Sequence, residues 1–445
     1  MKRSILSKTA PAVFIAVAAF ASFAGAETFV EGLRLIGGNP DNKFFYKPGE
    51  KMTFVIKASD PALVPEDAKI TWRRTGDDGK TETGEFPSRT EGVVETSIDS
   101  PGFVHVQAWI KDAALQTIVC YSNGVNVQKA EFDGGAGASP DELEQAVPPP
   151  ADFDAFWAAR RAELDAVPLN SEIKELPSPN PAEFRLFQVR TDCAGPRPMT
   201  GYMTMPADAS PSKRYPARAW FDGYSYNVPA PSTSHLGGWI NLHVFAHGYE
   251  LGRDKAYYDE FGKSARKNGP LYAFDHEENS DPKTAYFMGM TFRVMRAFDF
   301  LKSLPEWDGT GLRADGGSQG GLQTMWAASL VPGLTYAEPV VTWCCDLGGI
   351  TAGRIGGWRP GYQPALDYFD PVNHARHVPA GCYVNISRAG LGDYTCPPSG
   401  LAVLYNNLKC RKRIAWFQGS THGYVPPSPA VQVIEAPAAL QGTTK

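Results

Sequence analysis

The chain has 445 residues and a formal net charge of −5 at pH 7, with acidic and basic side chains mixed along its length. It carries no basic stripe able to neutralise nucleic-acid phosphates, which excludes a nucleic acid as partner. Past the first residues no apolar run approaches the roughly 20 that a membrane helix needs, which excludes a membrane span.

The N-terminus opens with Lys2, Arg3 and Lys8, continues with an apolar run from Ala12 to Phe23, and ends on Ala24-Gly25-Ala26. This order predicts a signal peptide over residues 1–26, cleaved after Ala26, and hence a secreted or periplasmic protein. The cysteine count is odd at seven, so at least one thiol stays free or pairs between chains. No C-x-x-C pair and no Cys/His cluster has zinc spacing, so no metal is expected, and no cofactor.

Residues 27–130 read as short strands between turn signals. Met52–Ala58, Lys69–Arg74, Val93–Ile98, Phe103–Lys111 and Tyr121–Val127 are β-rich runs, separated by Lys47-Pro48-Gly49, Gly76-Asp77-Asp78-Gly79 and Ser100-Pro101-Gly102. That rhythm predicts a small all-β immunoglobulin-like sandwich, as an accessory or a spacer. Residues 131–150, with Asp133-Gly-Gly-Ala-Gly-Ala-Ser139-Pro140 and then Pro148-Pro149-Pro150, read as an interdomain linker.

From residue 151 to 445 strands alternate with helices, which predicts an α/β domain built on a mostly parallel sheet. A helix is expected from Asp152, where Phe153, Phe156, Trp157 and Leu164 share a face, and another over Ala285–Leu304. Strands are expected at Arg218–Phe221, Arg313–Asp315, Thr335–Val341, Cys382–Ser387 and Arg413–Gln418, and helices at Gly321–Leu330 and Ser399–Leu408.

Gly316-Gly317-Ser318-Gln319-Gly320, between a predicted strand and a predicted helix, has the spacing of a nucleophile elbow. A serine hydroxyl needs a base oriented by an acid, and in the α/β-hydrolase fold the chain order is Ser, acid, His. His422, in Gly419-Ser-Thr-His-Gly423 after the last predicted strand, is the expected base. His374 and His377 are expected to be exposed loop histidines. Asp393, in the Gly390-Leu-Gly-Asp393 loop after a strand, is the expected acid, ahead of Asp346, Asp367 and Asp370. The backbone N–H groups of Gln319 and of Tyr224, in Phe221-Asp-Gly-Tyr224, are the expected oxyanion donors.

These segments resemble the acetyl xylan esterase and cephalosporin-C deacetylase family. The elbow is similar to that family's Gly-x-Ser-Gln-Gly-Gly, and Gly390-Leu-Gly-Asp393-Tyr-Thr-Cys396-Pro397-Pro398-Ser399 to its acid loop. Phe221-Asp-Gly-Tyr224, the helices at 152–164 and 296–305, and Cys345-Asp346 are similar as well, over roughly residues 150–427. The family's Arg-Gly-Gln tripeptide is missing from the stretch Leu242–Arg253, and His422 precedes Gly423 where the family commonly has Glu. The resemblance implies an α/β-hydrolase fold and a cofactor-free serine deacetylase acting on acetylated carbohydrates. A peptidase or longer-chain esterase, or an inert carbohydrate-binding protein, are the alternatives. The family's ring-like hexamers would have to make room for the N-terminal segment, which leaves a homo-oligomer open.

Overall fold

The computed structural model describes residues 28–438, apart from 123–126, 227, 232–234, 268 and 270. The expected signal peptide lies outside the described residues. Among them, no helix is long and apolar enough to cross a membrane.

Strands β1 (Leu35–Gly38), β2 (Phe45–Tyr46), β3 (Met52–Ala58), β4 (Lys69–Gly76), β5 (Glu82–Pro87), β6 (Gly92–Thr96) and β7 (Gly102–Lys111) come first. Period-two burial organises them: Met52, Phe54, Ile56 and Ala58 of β3 are buried, while Thr53, Val55 and Lys57 between them are more exposed. Next come β8 (Val119–Ser122), β9 (Val127–Lys129) and β10 (Glu131–Ala138). One sheet has the order β1-β3-β6 and another β2-β10-β7-β4-β5. Phe54, Ile56, Ile70, Val94, Val104 and Val106 belong to one apolar core shared between these sheets. Arg74 is fully buried in this region, and Asp78, Thr96 and two backbone carbonyls satisfy its guanidinium.

Two expectations change here. The run Tyr121–Val127, expected as one strand, falls partly in β8 and β9, which pair antiparallel, with its middle outside the described residues. Residues 131–138, expected to begin a linker, are strand β10, paired over its whole length with β7. Glycine and alanine suggested flexibility, but their smallness serves close packing instead.

The second half begins with α1 (Phe153–Asp165), β11 (Glu172–Leu176), β12 (Phe184–Thr191), β13 (Met199–Pro206), β14 (Tyr215–Phe221), β15 (Ile240–Val244) and α2 (Lys255–Ser264). It continues with α3 (Tyr286–Ser303), β16 (Trp307–Gly317), α4 (Gln319–Leu330), β17 (Tyr336–Val340), α5 (Pro371–Ala375) and β18 (Tyr383–Gly390). Helix α6 (Pro398–Asn407), β19 (Arg411–Phe417) and β20 (Val431–Ala436) close it. Its ten-stranded sheet has the order β11-β12-β13-β15-β14-β16-β17-β18-β19-β20. The run from β15 to β19 is parallel, and antiparallel strands extend it at both ends. The central strands are buried on both faces, as β15 shows at every position. Helices α3 and α4 cover them with Phe287, Phe298, Phe300 and Trp326. The carboxyl ends of β14, β16, β18 and β19 lead into the loops that carry the expected site residues, where open parallel sheets hold their ligands.

Candidate active site

Ser318 stands between β16 and α4, with φ 58° and ψ −118°. A non-glycine residue rarely takes such angles, and here the surroundings enforce them. The Ser318 N–H donates to the Val340 carbonyl at 2.9 Å, tying the turn to the neighbouring strand. A side chain on Gly320 would place its Cβ 2.2 Å from the Phe221 carbonyl oxygen, and one on Gly316 would stand 2.5 Å from the Gly320 backbone. The helix can therefore start this close to β14 and β16 only with glycine at both places.

His422 reaches Ser318 from the loop after β19. Its Nε2 is 3.0 Å from the Ser318 Oγ, and its Nδ1 is 2.9 Å from the Asp393 Oδ2. A carboxylate only accepts, so the Nδ1–H donates to Asp393 and Nε2 is free to accept the serine proton. Asp393 is fully buried, and its other oxygen accepts the N–H groups of Thr395 and Cys396 at 3.0 Å each. Those bonds fix the carboxylate plane without competing for the oxygen that faces histidine. The three expected residues are thus brought together in one hydrogen-bonded line.

The Gln319 N–H belongs to the first turn of α4, where backbone donors lack an intrahelical acceptor. The Phe221–Tyr224 turn lies beside the elbow, since a Cβ on Gly223 would stand 3.8 Å from the Gly317 carbonyl. The Tyr224 ring stacks on Tyr272 at 4.0 Å and meets Trp343 and Trp358 edge-on at 5.6 and 4.9 Å. Trp343 donates its backbone N–H to the Ser318 carbonyl at 3.1 Å, so this aromatic wall begins at Ser318. Phe274 packs against Trp343 and Trp358, the latter 38% exposed.

Of groups able to bind a metal, Asp393, Cys396 and His422 offer O, S and N atoms within 4.8 Å of one another among the described residues. Asp393 and His422 are already bonded to each other, and burial pushes the Cys396 thiol up, away from thiolate. The seven cysteines are all free and buried, so none of them forms a bridge here.

Residues 141–352 and 363–436 match the family model described as acetyl xylan esterase (AXE1), more than half of the chain. The chain belongs to the acetyl xylan esterase family. Acetyl esterase Axe7A of Xylanibacter ruminicola is 27% identical over 296 residues, covering 62% of this chain and 64% of the relative. The chain therefore spans less than two thirds of that relative's length. An acetyl xylan esterase from Paenibacillus sp. R4 superposes with a TM-score of 0.53 at 24% identity, over 64% of this chain and 94% of its own. Acetyl xylan esterase 1 from Thermoanaerobacterium sp. JW/SL YS485 gives 0.53 at 19% identity, over 65% and 93%. These two likenesses concern the fold, the α/β-hydrolase arrangement around the large sheet.

Several residues around this candidate site escaped the sequence reading. The aromatic wall of Tyr272, Phe274, Trp343 and Trp358 is assembled from separate loops, and no local signal marks it. His247 is a second case. Its Nε2–H donates to the Ser225 carbonyl at 2.7 Å and its Nδ1 accepts from the Tyr286 hydroxyl at 2.8 Å, bracing the turn that carries Tyr224. Burial pushes its pKa down to about 4, so it stays neutral at working pH.

His374 and His377 do not join the line of Ser318, His422 and Asp393. His377 is exposed as expected, stacked on Phe153 and 3.2 Å from the Asp154 carboxylate. His374, expected to be exposed, is fully buried on α5 because both its ring nitrogens are satisfied inside. Nδ1 accepts from the Ser329 hydroxyl at 2.5 Å and Nε2 donates to the Tyr368 carbonyl at 3.0 Å.

Burial pushes the His374 pKa from 6.5 down to about 3. The folded protein therefore keeps this ring neutral where the unfolded chain takes up a proton. Its contribution to stability is full above pH 6.5 and is lost as pH falls towards 3. Urea unfolding of wild type and His374→Gln is expected to show a stability difference that narrows below pH 6.5. The slope approaches about 1.4 kcal/mol per pH unit. A difference independent of pH would contradict the buried neutral ring.

Proposed function

We propose that the protein is a serine carboxylic ester hydrolase that removes O-acetyl groups from carbohydrates, acetylated xylan or xylo-oligosaccharides being the substrate class. The observation that carries this reading is the hydrogen-bonded line Asp393–His422–Ser318 at a strained elbow, in a chain of the acetyl xylan esterase family. Ser318 is the nucleophile, His422 the general base and Asp393 the group that orients it.

His422 Nε2 takes the Ser318 hydroxyl proton as Oγ bonds to the acetyl carbonyl carbon. The carbonyl oxygen gains the electron pair and rests on the backbone N–H groups of Gln319 and Tyr224. Collapse of this adduct breaks the bond to the sugar oxygen, which leaves with the proton from His422. Water, deprotonated by the same histidine, then attacks the acetyl-serine, and acetate departs with Ser318 restored. Each proton moves through Nε2, and the reaction calls for no cofactor.

The N-terminal strands are read as an immunoglobulin-like sandwich, supported by two mainly antiparallel sheets over one core, extending to Ala138 rather than stopping at residue 130. With residues 1–26 removed as a signal peptide, the enzyme acts in the periplasm or outside the cell.

Acetate release from acetylated xylan, acetylated xylo-oligosaccharides and p-nitrophenyl acetate tests the activity. Folded wild-type protein releasing none from any of them would overturn it. The aromatic wall beside Ser318 also implies a short acyl pocket. Against p-nitrophenyl acetate, kcat/KM for the butyrate ester is expected to fall at least about tenfold, since each misfit methylene costs roughly 1–3 kcal/mol. Equal or better turnover of longer chains would favour a general esterase, and cleavage of an anilide a peptidase.

A further inference from the structure

Both loops that carry the acid and the base lie against one strand of the N-terminal sheet. The first contact is Gln418, 3% exposed, which follows β19 directly and begins the loop to His422. Its side-chain oxygen accepts the N–H groups of Gly135 and Gly419 at 3.1 and 3.0 Å. Its amide nitrogen donates to the Gly135 carbonyl and to the Asn39 Oδ1, both at 2.8 Å. All four bonding positions of the amide are thus used, two of them on β10 and one on Asn39 just past β1. Asn39 is itself held by its bond to the Thr53 carbonyl at 2.9 Å.

The acid loop touches the same strand, backbone to backbone. A Cβ on Gly392 would stand 2.0 Å from the Asp133 carbonyl oxygen, and one on Gly135 would stand 2.7 Å from the Leu391 oxygen. This approach gives the Asp133-Gly-Gly-Ala-Gly-Ala run a purpose that flexibility does not. Next to Asp393, the half-buried Tyr394 ring stacks on His105 of β7 at 3.7 Å with planes 16° apart. His105 is in turn bonded to the Asp133 carboxylate. The two loops are tied to each other by the Gly392 N–H, which donates to the Ser420 carbonyl at 3.0 Å.

We propose that His105 and Gln418, acting through β10, are positioning residues of the triad: the N-terminal sheet sets the distance between the acid loop and the base loop. The inference rests on the reading of Ser318, His422 and Asp393 as the catalytic residues. Neither His105 nor Gln418 touches substrate. A displacement of either loop by about 1 Å would break the line from carboxylate to hydroxyl, and such misplacements cost on the order of 100-fold in rate.

The experiment compares kcat and KM for p-nitrophenyl acetate in full-length His105→Ala, His105→Phe, Gln418→Ala and, as a control, Arg73→Ala on an exposed stretch of β4. His105→Ala and Gln418→Ala are expected to lower kcat by about 10- to 100-fold with KM within about twofold. His105→Phe, which keeps a ring over Tyr394, is expected to recover most of the loss, and Arg73→Ala to match wild type. Circular dichroism and melting curves establish that each variant is folded at the assay temperature. Should Gln418→Ala fail to fold, the two His105 variants carry the test, since they leave the backbone ladder intact. Unchanged kcat in folded His105→Ala, with Ser318→Ala inactive, would overturn the positioning role and leave the triad standing. Activity surviving in Ser318→Ala would overturn both.

Discussion

Ser318→Ala is expected to abolish acetate release, lowering kcat by about a million-fold, the scale seen when the nucleophile of a serine hydrolase is removed. The argument is geometric. Among the described residues, Oγ is the atom that sits 3.0 Å from the His422 Nε2 and projects from the strained turn between β16 and α4. Its loss removes the covalent route, while the backbone donors and the aromatic wall persist, so substrate binding should survive. Binding of an acetylated xylo-oligosaccharide by the inactive variant, measured calorimetrically, is expected to stay within about threefold of the wild-type KM where chemistry limits turnover. The variant should also fold normally, because the hydroxyl is not what holds the elbow. That work is done by the Ser318 N–H bond to Val340 and by the glycines around it, none of which changes. Residual turnover within tenfold of wild type would instead point to a different nucleophile, and the elbow would be only a turn.

The proposed nucleophile, base and acid could be picked out of the sequence because each stands in a local pattern at a strand end, and the fold dictates their order along the chain. Ser318 is flagged by flanking glycines, His422 by its place after the last parallel strand, and Asp393 by its Gly-rich loop. The rest depended on distance contacts. Strand β13 is buried at seven successive positions, so it shows neither alternation nor helical period and went unread. Trp343 and Trp358 meet Tyr224 only because the sheet brings their loops together. The glycines of β10 misled for a physical reason: composition that suits a flexible linker also suits a strand pressed against other backbones. His374 misled in the opposite direction, because a short helix after a turn gives no sign of burial until α4 is laid over it.

Asp393→Asn is the sharper test of mechanism, since it alters hydrogen-bond direction and almost nothing else. The asparagine oxygen can still accept from the Thr395 and Cys396 N–H groups, so the loop keeps its shape. The new NH2 group then faces the His422 Nδ1, where a carboxylate oxygen stood 2.9 Å away. An NH2 donates, so the imidazole must present its lone pair on Nδ1 and carry its proton on Nε2. That tautomer points a proton at the Ser318 hydroxyl and cannot accept one. It also leaves the imidazolium of the first step without a counter-charge. A fall in kcat of about 10,000-fold is expected, smaller than the loss from Ser318→Ala or His422→Ala, with KM and melting temperature little changed. The competing carboxylates are engaged elsewhere. Asp346 pairs with Arg354 and accepts from the Ala146 N–H, and Asp370 caps α5 while accepting the N–H groups of Asp346 and Leu347. Burial beside Asp346 pushes the Asp370 pKa up to about 7, which suits a structural acid rather than a fixed counter-ion. If Asp393→Asn keeps activity within tenfold of wild type while Asp346→Asn or Asp370→Asn loses it, the acid has been misassigned. If it falls as expected, the buried carboxylate acts by fixing which nitrogen of His422 holds the proton.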